Sequence, residues 1–203
     1  DFTLRPFPYE VPGRAHPDIF QGGNSTAARF NGGAYADWYF SNGKDFDGFT
    51  EQYDDVTRIA AEHGRRTRFG LNGFVIQRDS RAEAEQQLRE IIAHADGGVV
   101  EGFRKSVQEA GNSTADKKGM WADSTFDDLV QYNDGFRTQL FGEAEQIAER
   151  IIEYKKRGVD LFLLGLLHFQ EELERFGETV IPIVRDLEAD LARTGDPIGV
   201  ARR

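Results

Sequence analysis

The sequence predicts an α/β fold in which helices cover a parallel β-sheet. Short, continuously apolar segments alternate with amphipathic stretches along the chain, and this alternation is typical of strands that are buried on both faces. Two architectures fit it, an open doubly wound sheet and a (β/α)8 barrel. Only four strand–helix units are found in 203 residues, whereas a complete barrel needs eight units and about 250 residues. We therefore expect residues 1–203 to form a single domain and, if the architecture is a barrel, to be its second half.

The first unit combines a short strand with a glycine-rich turn. Residues 18–21 are predicted to be the strand, and Gly22, Gly23, Asn24 and Ser25 lead from it into a helix. Glycines let the backbone approach a ligand closely, and the first N–H groups of a helix attract anions. The four residues therefore predict a phosphate site. A plain helix cap made by Asn24 or Ser25 explains the same residues, so both interpretations stay open at this point.

The second and third units repeat the order of strand and helix. A strand at 36–41 precedes a helix at 48–63, and a long strand at 68–77 precedes a helix that begins at a predicted Ser80–Glu83 capping box. Apolar side chains recur on one face of both helices, which indicates that each helix packs against the sheet.

The fourth unit is followed by a long helix and a tail. A helix at 143–157 leads into a strand at 159–164, and a last helical region covers 170–192. Pro182 must either kink this last helix or lie in its first turn, because proline lacks the N–H that a helix interior uses. Residues 193–203 are polar and are expected to form a flexible tail.

One segment, residues 96–142, interrupts the alternation and is predicted to be an inserted helical lid. It contains two helical patterns, at 99–110 and 124–130, and a linker at 131–141. The helix after this linker leads directly into a parallel strand, so it must start at the carboxyl ends of the strands. Ligands bind at that edge in α/β folds. The linker is therefore expected beside the glycine-rich turn.

Two side chains are candidates for chemistry at this edge. Arg137 lies in the linker, where a guanidinium suits a phosphate or another oxyanion, although a surface ion pair with Asp134 is the alternative. His168 follows the fourth strand and either lines the site or packs under the last helix. The other three histidines have no partner at the spacing of metal ligands, so no metal site is predicted.

Composition excludes several classes of function. The net charge of −10 argues against binding to nucleic acid or to an anionic membrane surface. The absence of cysteine excludes disulfides, thiolate metal sites and cysteine nucleophiles. No apolar run approaches the roughly 20 residues that a bilayer requires, and no signal peptide is visible. We expect a cytoplasmic protein.

Several segments together resemble one protein family. The chain is similar to the C-terminal half of the bacterial luciferase-like, flavin-dependent monooxygenases. Within that family it looks most like the FMNH2-dependent dimethyl sulfone monooxygenases, near the alkanesulfonate monooxygenases. The segments that carry the resemblance are His16–Ser25, Ala36–Phe40, Gly70–Ile76, Asp128–Thr138 and Leu167–Glu172.

The resemblance implies half of a luciferase-like (β/α)8 barrel with reduced FMN at the carboxyl ends of the strands. Such enzymes receive the flavin from a separate NAD(P)H-dependent reductase. With O2 they oxidise a small organosulfur substrate, either dimethyl sulfone, to methanesulfinate and formaldehyde, or an alkanesulfonate. By position, Gly22, Gly23, Asn24 and Ser25 match the turn that holds the FMN phosphate. Arg137 matches a lid arginine, and His168 lies near an active-site position.

The resemblance also implies that the first four units of the barrel are missing from this chain. Half of a barrel has two open sheet edges, so the expected partners are the missing N-terminal half or another copy. We expect the isolated chain to be inactive. Two alternatives remain, a non-catalytic module that binds a phosphorylated ligand or assembles through its sheet edges, and a barrel enzyme of another class. For a phosphosugar isomerase, Asp45 is the nearest candidate base.

Overall fold

A five-stranded parallel sheet lies at the centre of the computed structural model, which describes Gly13 and residues 16–116, 119–130 and 133–195. Within these residues, seven α-helices and one 3-10 turn at Gly135–Thr138 accompany the sheet. The strands are β1 (Phe20–Gly22), β2 (Trp38–Ser41), β3 (Arg68–Gln77), β4 (Leu140–Gly142) and β5 (Leu161–Leu166). The helices are α1 (Thr26–Ala34), α2 (Phe46–Glu62), α3 (Arg81–Ala93), α4 (Gly97–Asn112), α5 (Phe126–Leu129), α6 (Ala144–Lys156) and α7 (Phe169–Thr194).

The long strand β3 organises the sheet. Its first residues pair with β2, which pairs in turn with β1. Val75, near its end, pairs with Leu140 of β4 and with Leu166 of β5, so these two strands flank β3 on opposite sides. Among the described residues, β1 pairs with β2 alone and β5 pairs with β3 alone. Each of these two strands therefore has an open outer edge.

Helices α6 and α7 cover one face of the sheet. The opposite face is exposed at β5, but at the carboxyl ends of β3 and β4 it is covered, because Phe74, Ile76 and Phe141 pack there against Ala84 of α3 and against Phe136. On the first face, Phe162, Leu164 and Leu166 of β5 pack against the apolar sides of α6 and α7. Side chains alternate between the faces of a strand, so Leu161 and Leu163 point the other way, where they are 39% and 56% exposed. We call the side to which Leu161 and Leu163 point the inner face, because it corresponds to the interior of a barrel.

The inner face carries a stack of aromatic rings and a cation near the amino ends of the strands. Phe20 and Trp38 stack in parallel with their centroids 5.3 Å apart, and the Arg68 guanidinium lies 4.1 Å from the Trp38 ring. Asp18 Oδ2 accepts hydrogen bonds from both Trp38 and Arg68, at 3.2 Å and 3.1 Å. Phe20 is 53% exposed, so water reaches the outer end of the stack.

The predicted α/β fold with a parallel sheet is confirmed, and most elements lie within a few residues of their expected bounds. Strand β4 was not predicted, because its residues fell within the expected linker. Pro182 lies in the interior of α7, which excludes the first-turn alternative. Of the predicted tail, residues 196–203 lie outside the described residues, as do linker residues 131–132.

Candidate functional site

The turn at Gly22–Ser25, called the glycine turn below, has a backbone that only glycine adopts easily. Gly23 has φ +118°, and a Cβ there would lie 2.8 Å from the Cβ of Ala28. Ser25 then caps α1, because its Oγ accepts a hydrogen bond from the Ala28 N–H at 3.3 Å. The turn therefore begins the helix tightly against the end of β1, at the carboxyl edge of the sheet.

The first amide of α1 already binds an oxyanion. The Thr26 N–H donates to Asp116 Oδ2 at 2.6 Å, and Asp116 belongs to the insert, 90 residues along the chain. A helix N-terminus attracts negative charge because its first N–H groups lack partners within the helix. The carboxylate of Asp116 thus occupies the position that an external anion would take.

The side chain of Asn24 is turned into the protein. Its Oδ1 accepts one hydrogen bond from Arg29 Nη2 at 2.9 Å and another from Gln52 Nε2 at 2.5 Å. Tyr39 also fixes the turn, because its hydroxyl donates to the Gly23 carbonyl. Burial raises the pKa of Tyr39 to about 12, so this hydroxyl keeps its proton at physiological pH.

A cavity of about 590 Å³ opens beside the start of α1. Its walls come from the first two turns of α1 and from the segment that follows α4. The lining residues are Ser25, Thr26, Ala27, Phe30, Asn31, Thr114, Ala115 and Asp116. The predicted phosphate turn therefore faces an open space whose far wall is part of the insert.

Arg137 lines a different cavity. It lies in the 3-10 turn, and its Nη1 is 3.5 Å from Asp123 Oδ1, a carboxylate other than Asp134, which was the alternative partner considered from the sequence. The same Nη1 is buried and makes no hydrogen bond. Burial works to lower the pKa of Arg137, but the carboxylates around it raise the pKa above its ordinary value. The cavity, of about 410 Å³, also borders α3, and its lining includes Asp45, Arg81 and Phe141.

Within the insert, Asp134 connects the segment around Ser124 with the 3-10 turn that carries Arg137. It is 2% exposed and has a left-handed backbone with φ +51°. Ser124 Oγ donates to its Oδ2 at 2.8 Å, and its carbonyl accepts the Arg137 N–H at 2.9 Å. Burial raises the pKa of Asp134 to about 6, against the opposing effects of Ser124 and Arg137.

His168 lies at the carboxyl end of β5, where the sequence placed it. It precedes α7, its side chain is exposed, and its backbone N–H donates to Glu172 Oε2 at 3.1 Å. Among the described residues, no hydrogen bond or ion pair connects His168 with Arg137 or with the glycine turn. The structure thus brings Asn24 and Ser25 together, and it places Arg137 and His168 elsewhere along the same edge.

Four functional candidates were missed by reasoning from the sequence: Arg29, Gln52, Tyr39 and Asp116. Arg29 carried a local signal, because an arginine that follows a helix cap by one turn can reach back to it. Gln52 and Tyr39 contact the glycine turn, and Asp116 contacts Thr26 just after it. These contacts span large sequence separations, which no local pattern reveals. No cluster of three metal-ligating side chains exists in the described part of the chain.

Comparison with known proteins places the chain in a family. The sequence profile of the luciferase-like monooxygenases matches residues 1–161. The chain belongs to this family. It is 52% identical over 190 residues to an FMNH2-dependent dimethylsulfone monooxygenase of Pseudomonas putida, covering 94% of the chain and 52% of that protein. A protein of the same name from Pseudomonas fluorescens (strain Pf0-1) is 48% identical, with 97% of the chain and 53% of that protein covered.

Solved structures show the same fold. A riboflavin lyase, crystallised with modified FMN and riboflavin, superposes with a TM-score of 0.68 at 22% identity, over 86% of this chain and 44% of that one. The resemblance to luciferase-like monooxygenases and the half-barrel architecture are therefore confirmed. The chain spans about half the length of the curated relatives that it matches.

Proposed function

We propose that the complete protein is an FMNH2-dependent monooxygenase and that this chain provides its FMN phosphate site. One observation carries the proposal: the Thr26 amide, just after the glycine turn, already holds an oxyanion. The family and the names of the two Pseudomonas relatives support the same cofactor. By the same likeness, the substrate is a small organosulfur compound, either dimethyl sulfone, which would give methanesulfinate and formaldehyde, or an alkanesulfonate.

The residues of the turn fit a phosphate. Gly22 and Gly23 have no side chains to obstruct it, and Ser25 and Thr26 offer a hydroxyl and an amide at the positive end of α1. Asn24 contributes through its backbone, since its side-chain oxygen is engaged inside the protein. A phosphate would replace the carboxylate of Asp116 at Thr26.

The protein's own residues bind, orient and exclude water. Reduced FMN, when bound, supplies the redox chemistry with O2, so the chain needs no strong nucleophile. We assign Arg137 to a sulfonyl or sulfonate oxygen of the substrate, because its buried Nη1 lacks a hydrogen bond and its ion pair with Asp123 is long. His168 is proposed as a catalytic residue on its position at the end of β5 alone. The insert, residues 96–142, would act as the lid.

The inner face supports a further part of the proposal, that another polypeptide segment completes the barrel. The edges of β1 and β5 are open, and Phe20, Leu161 and Leu163 expose apolar surface between them. The occupant is the N-terminal half of the barrel or a second copy of this chain, and the isolated chain would be inactive. A separate NAD(P)H-dependent flavin reductase is the proposed redox partner.

Within the described residues, no helix has the length and apolarity that crossing a membrane requires. The cytoplasm stays a prediction from the cysteine-free composition. The open edges also favour a second candidate function, a non-catalytic module that assembles through its sheet. Asp45, the candidate base of an isomerase, instead caps α2 by accepting the Gly48 N–H at 2.8 Å.

Flavin binding tests the proposal. The protein, complete with its N-terminal half, is titrated with FMN and with riboflavin, which lacks the phosphate, and flavin fluorescence is followed. We expect FMN to bind at least about tenfold more tightly, because the phosphate adds charge-assisted hydrogen bonds. Formaldehyde release from dimethyl sulfone, with a flavin reductase and NADH, then tests the reaction. Equal affinity for both flavins would contradict the phosphate site.

A further inference from the structure

The glycine turn is held from behind by a chain of buried polar side chains. Gln52 of α2 is 2% exposed, and its amide joins two elements. Its Oε1 accepts from Ser41 Oγ at 2.5 Å, and its Nε2 donates to Asn24 Oδ1 at 2.5 Å. Because Ser41 ends β2, the chain of hydrogen bonds connects the sheet, α2 and the turn. We call Ser41, Gln52 and Arg29 the brace.

Arg29 completes the brace from the side of α1. It is 7% exposed, and it donates to Asn24 Oδ1 at 2.9 Å and to Glu51 Oε1 at 3.0 Å. Asp55 Oδ2 lies 3.6 Å from the same guanidinium. Two carboxylates thus balance its charge, and its Nη2 is committed to Asn24. These contacts make Arg29 a group that holds the turn and does not itself bind the phosphate.

We propose that Gln52, together with Arg29, is a positioning residue for phosphate binding. Both side chains hold Asn24 in place, and this fixes the direction of the backbone N–H groups that follow Asn24. The orientation of the Gln52 amide follows from Asn24, because Asn24 Oδ1 already accepts from Arg29 and therefore needs a donor from Gln52. The polar groups of Ser41 and Gln52 that link the sheet to Asn24 have partners, whereas Arg29 Nε is buried without a hydrogen bond. Paired buried polar groups favour a single conformation. Preorganised amides bind an anion more tightly, because no ordering of the turn is needed on binding.

This inference rests on the proposed phosphate site, and the substitution Gln52→Glu tests it. When ionised, the new carboxylate still accepts from Ser41, but it cannot donate to Asn24 and instead faces another oxygen, so the measurements are made at a pH of about 8. The matched control is Gln87→Glu, which adds the same charge on α3, where the side-chain oxygen accepts from Arg78. Ser41→Ala is a milder second variant, which removes one hydroxyl and leaves the Gln52 side-chain oxygen without its donor while the bond to Asn24 remains.

Two measurements are made on each variant of the complete protein. Hydrogen–deuterium exchange follows the peptide that covers residues 22–31, and the Gln52→Glu turn is expected to exchange at least about fivefold faster than in the wild type. Flavin titration compares FMN with riboflavin. We expect Gln52→Glu to weaken FMN about tenfold and riboflavin less than about twofold, since the lost order concerns the phosphate alone. Ser41→Ala is expected to change both quantities in the same direction by less, and Gln87→Glu to change neither.

The outcomes separate this inference from the proposed function. Unchanged exchange at the turn in both brace variants overturns the brace, and so does a loss of affinity that is equal for FMN and riboflavin. If the wild type binds both flavins equally, the phosphate site is wrong and the positioning role is refuted with it. In that case the exchange measurement still shows whether the brace orders the turn.

Discussion

Asp134 provides a test of the electrostatics around Arg137. The substitution Asp134→Asn removes a carboxylate that is almost wholly buried, and it keeps an oxygen that can accept from Ser124. Asparagine also tolerates the left-handed backbone found at this position, φ +51°. The change therefore alters charge while it preserves the hydrogen bond and the backbone conformation.

The magnitude follows from the raised pKa. The pKa of the Asp134 carboxyl rises from an ordinary 3.8 to about 6 because burial disfavours its charged form. Between these values the folded protein keeps a proton that the unfolded chain has lost. Stability therefore falls as pH rises from about 4 to about 6 and stays reduced above that range. Each unit by which the pKa differs between the folded and unfolded states is worth about 1.4 kcal/mol, so the full effect on the free energy of unfolding is about 3 kcal/mol.

Urea denaturation between pH 4 and pH 8 measures this effect. We expect Asp134→Asn to match the wild type near pH 4 and to be more stable by up to about 3 kcal/mol at pH 8. Asp123→Asn is the control. Against the effect of burial, nearby Lys44 and Arg137 hold the pKa of Asp123 below its ordinary value, so its titration lies below the measured range and the substitution should change the pH dependence there little. If the unfolding free energies of the wild type and of Asp134→Asn change with pH in parallel, the burial assigned to the Asp134 charge is refuted.

Three further predictions concern the glycine turn and the inner face. Gly23→Ala places a Cβ 2.8 Å from that of Ala28 at a residue with φ +118°. Urea denaturation should therefore show that the free energy of unfolding falls by about 1–3 kcal/mol, and an unchanged midpoint would contradict the turn geometry. Asp116→Ala removes the carboxylate that accepts the Thr26 N–H. Fluorescence titration should then show that FMN binds about threefold to tenfold more tightly. Weaker binding would show that Asp116 assists the ligand. Leu163→Arg changes a side chain that is 56% exposed, so it should leave the stability of the isolated chain within about 0.5 kcal/mol. In sedimentation it should block association with the other half of the barrel or with a second copy, and undiminished association would exclude the inner face.

The elements with strong periodicity were predictable, and the shortest one was not. The strand β3 has ten residues that are nearly all buried, so its apolar run is plain in the sequence. Strand β4 has three residues, Leu140–Gly142, fewer than any periodic pattern needs. Its strand character comes from pairing with Val75–Gln77, a contact between segments that are about 65 residues apart in the chain.

The candidate site shows the same division between local and distant information. The cap at Ser25 and the requirement for glycine at Gly23 follow from their neighbours, and the structure contains both. The sequence could not show that Asn24 faces inward, because its partner Gln52 lies 28 residues away. The ion pair of Arg137 with Asp123 was missed for a related reason. Both aspartates near Arg137 are close in sequence, and only the fold decides which one it meets.

The stack of Phe20, Trp38 and Arg68 on the inner face has a consequence for assembly. In the half-barrel, the Arg68–Asp18 contact at 3.1 Å involves side chains that are 41% and 28% exposed, so dissolved ions can weaken it. Closure of the barrel would seal the same contact from water and make it insensitive to salt. The Arg68–Asp18 ion pair would then persist at all ionic strengths. Its sensitivity to salt would therefore show whether the two halves of the barrel are associated.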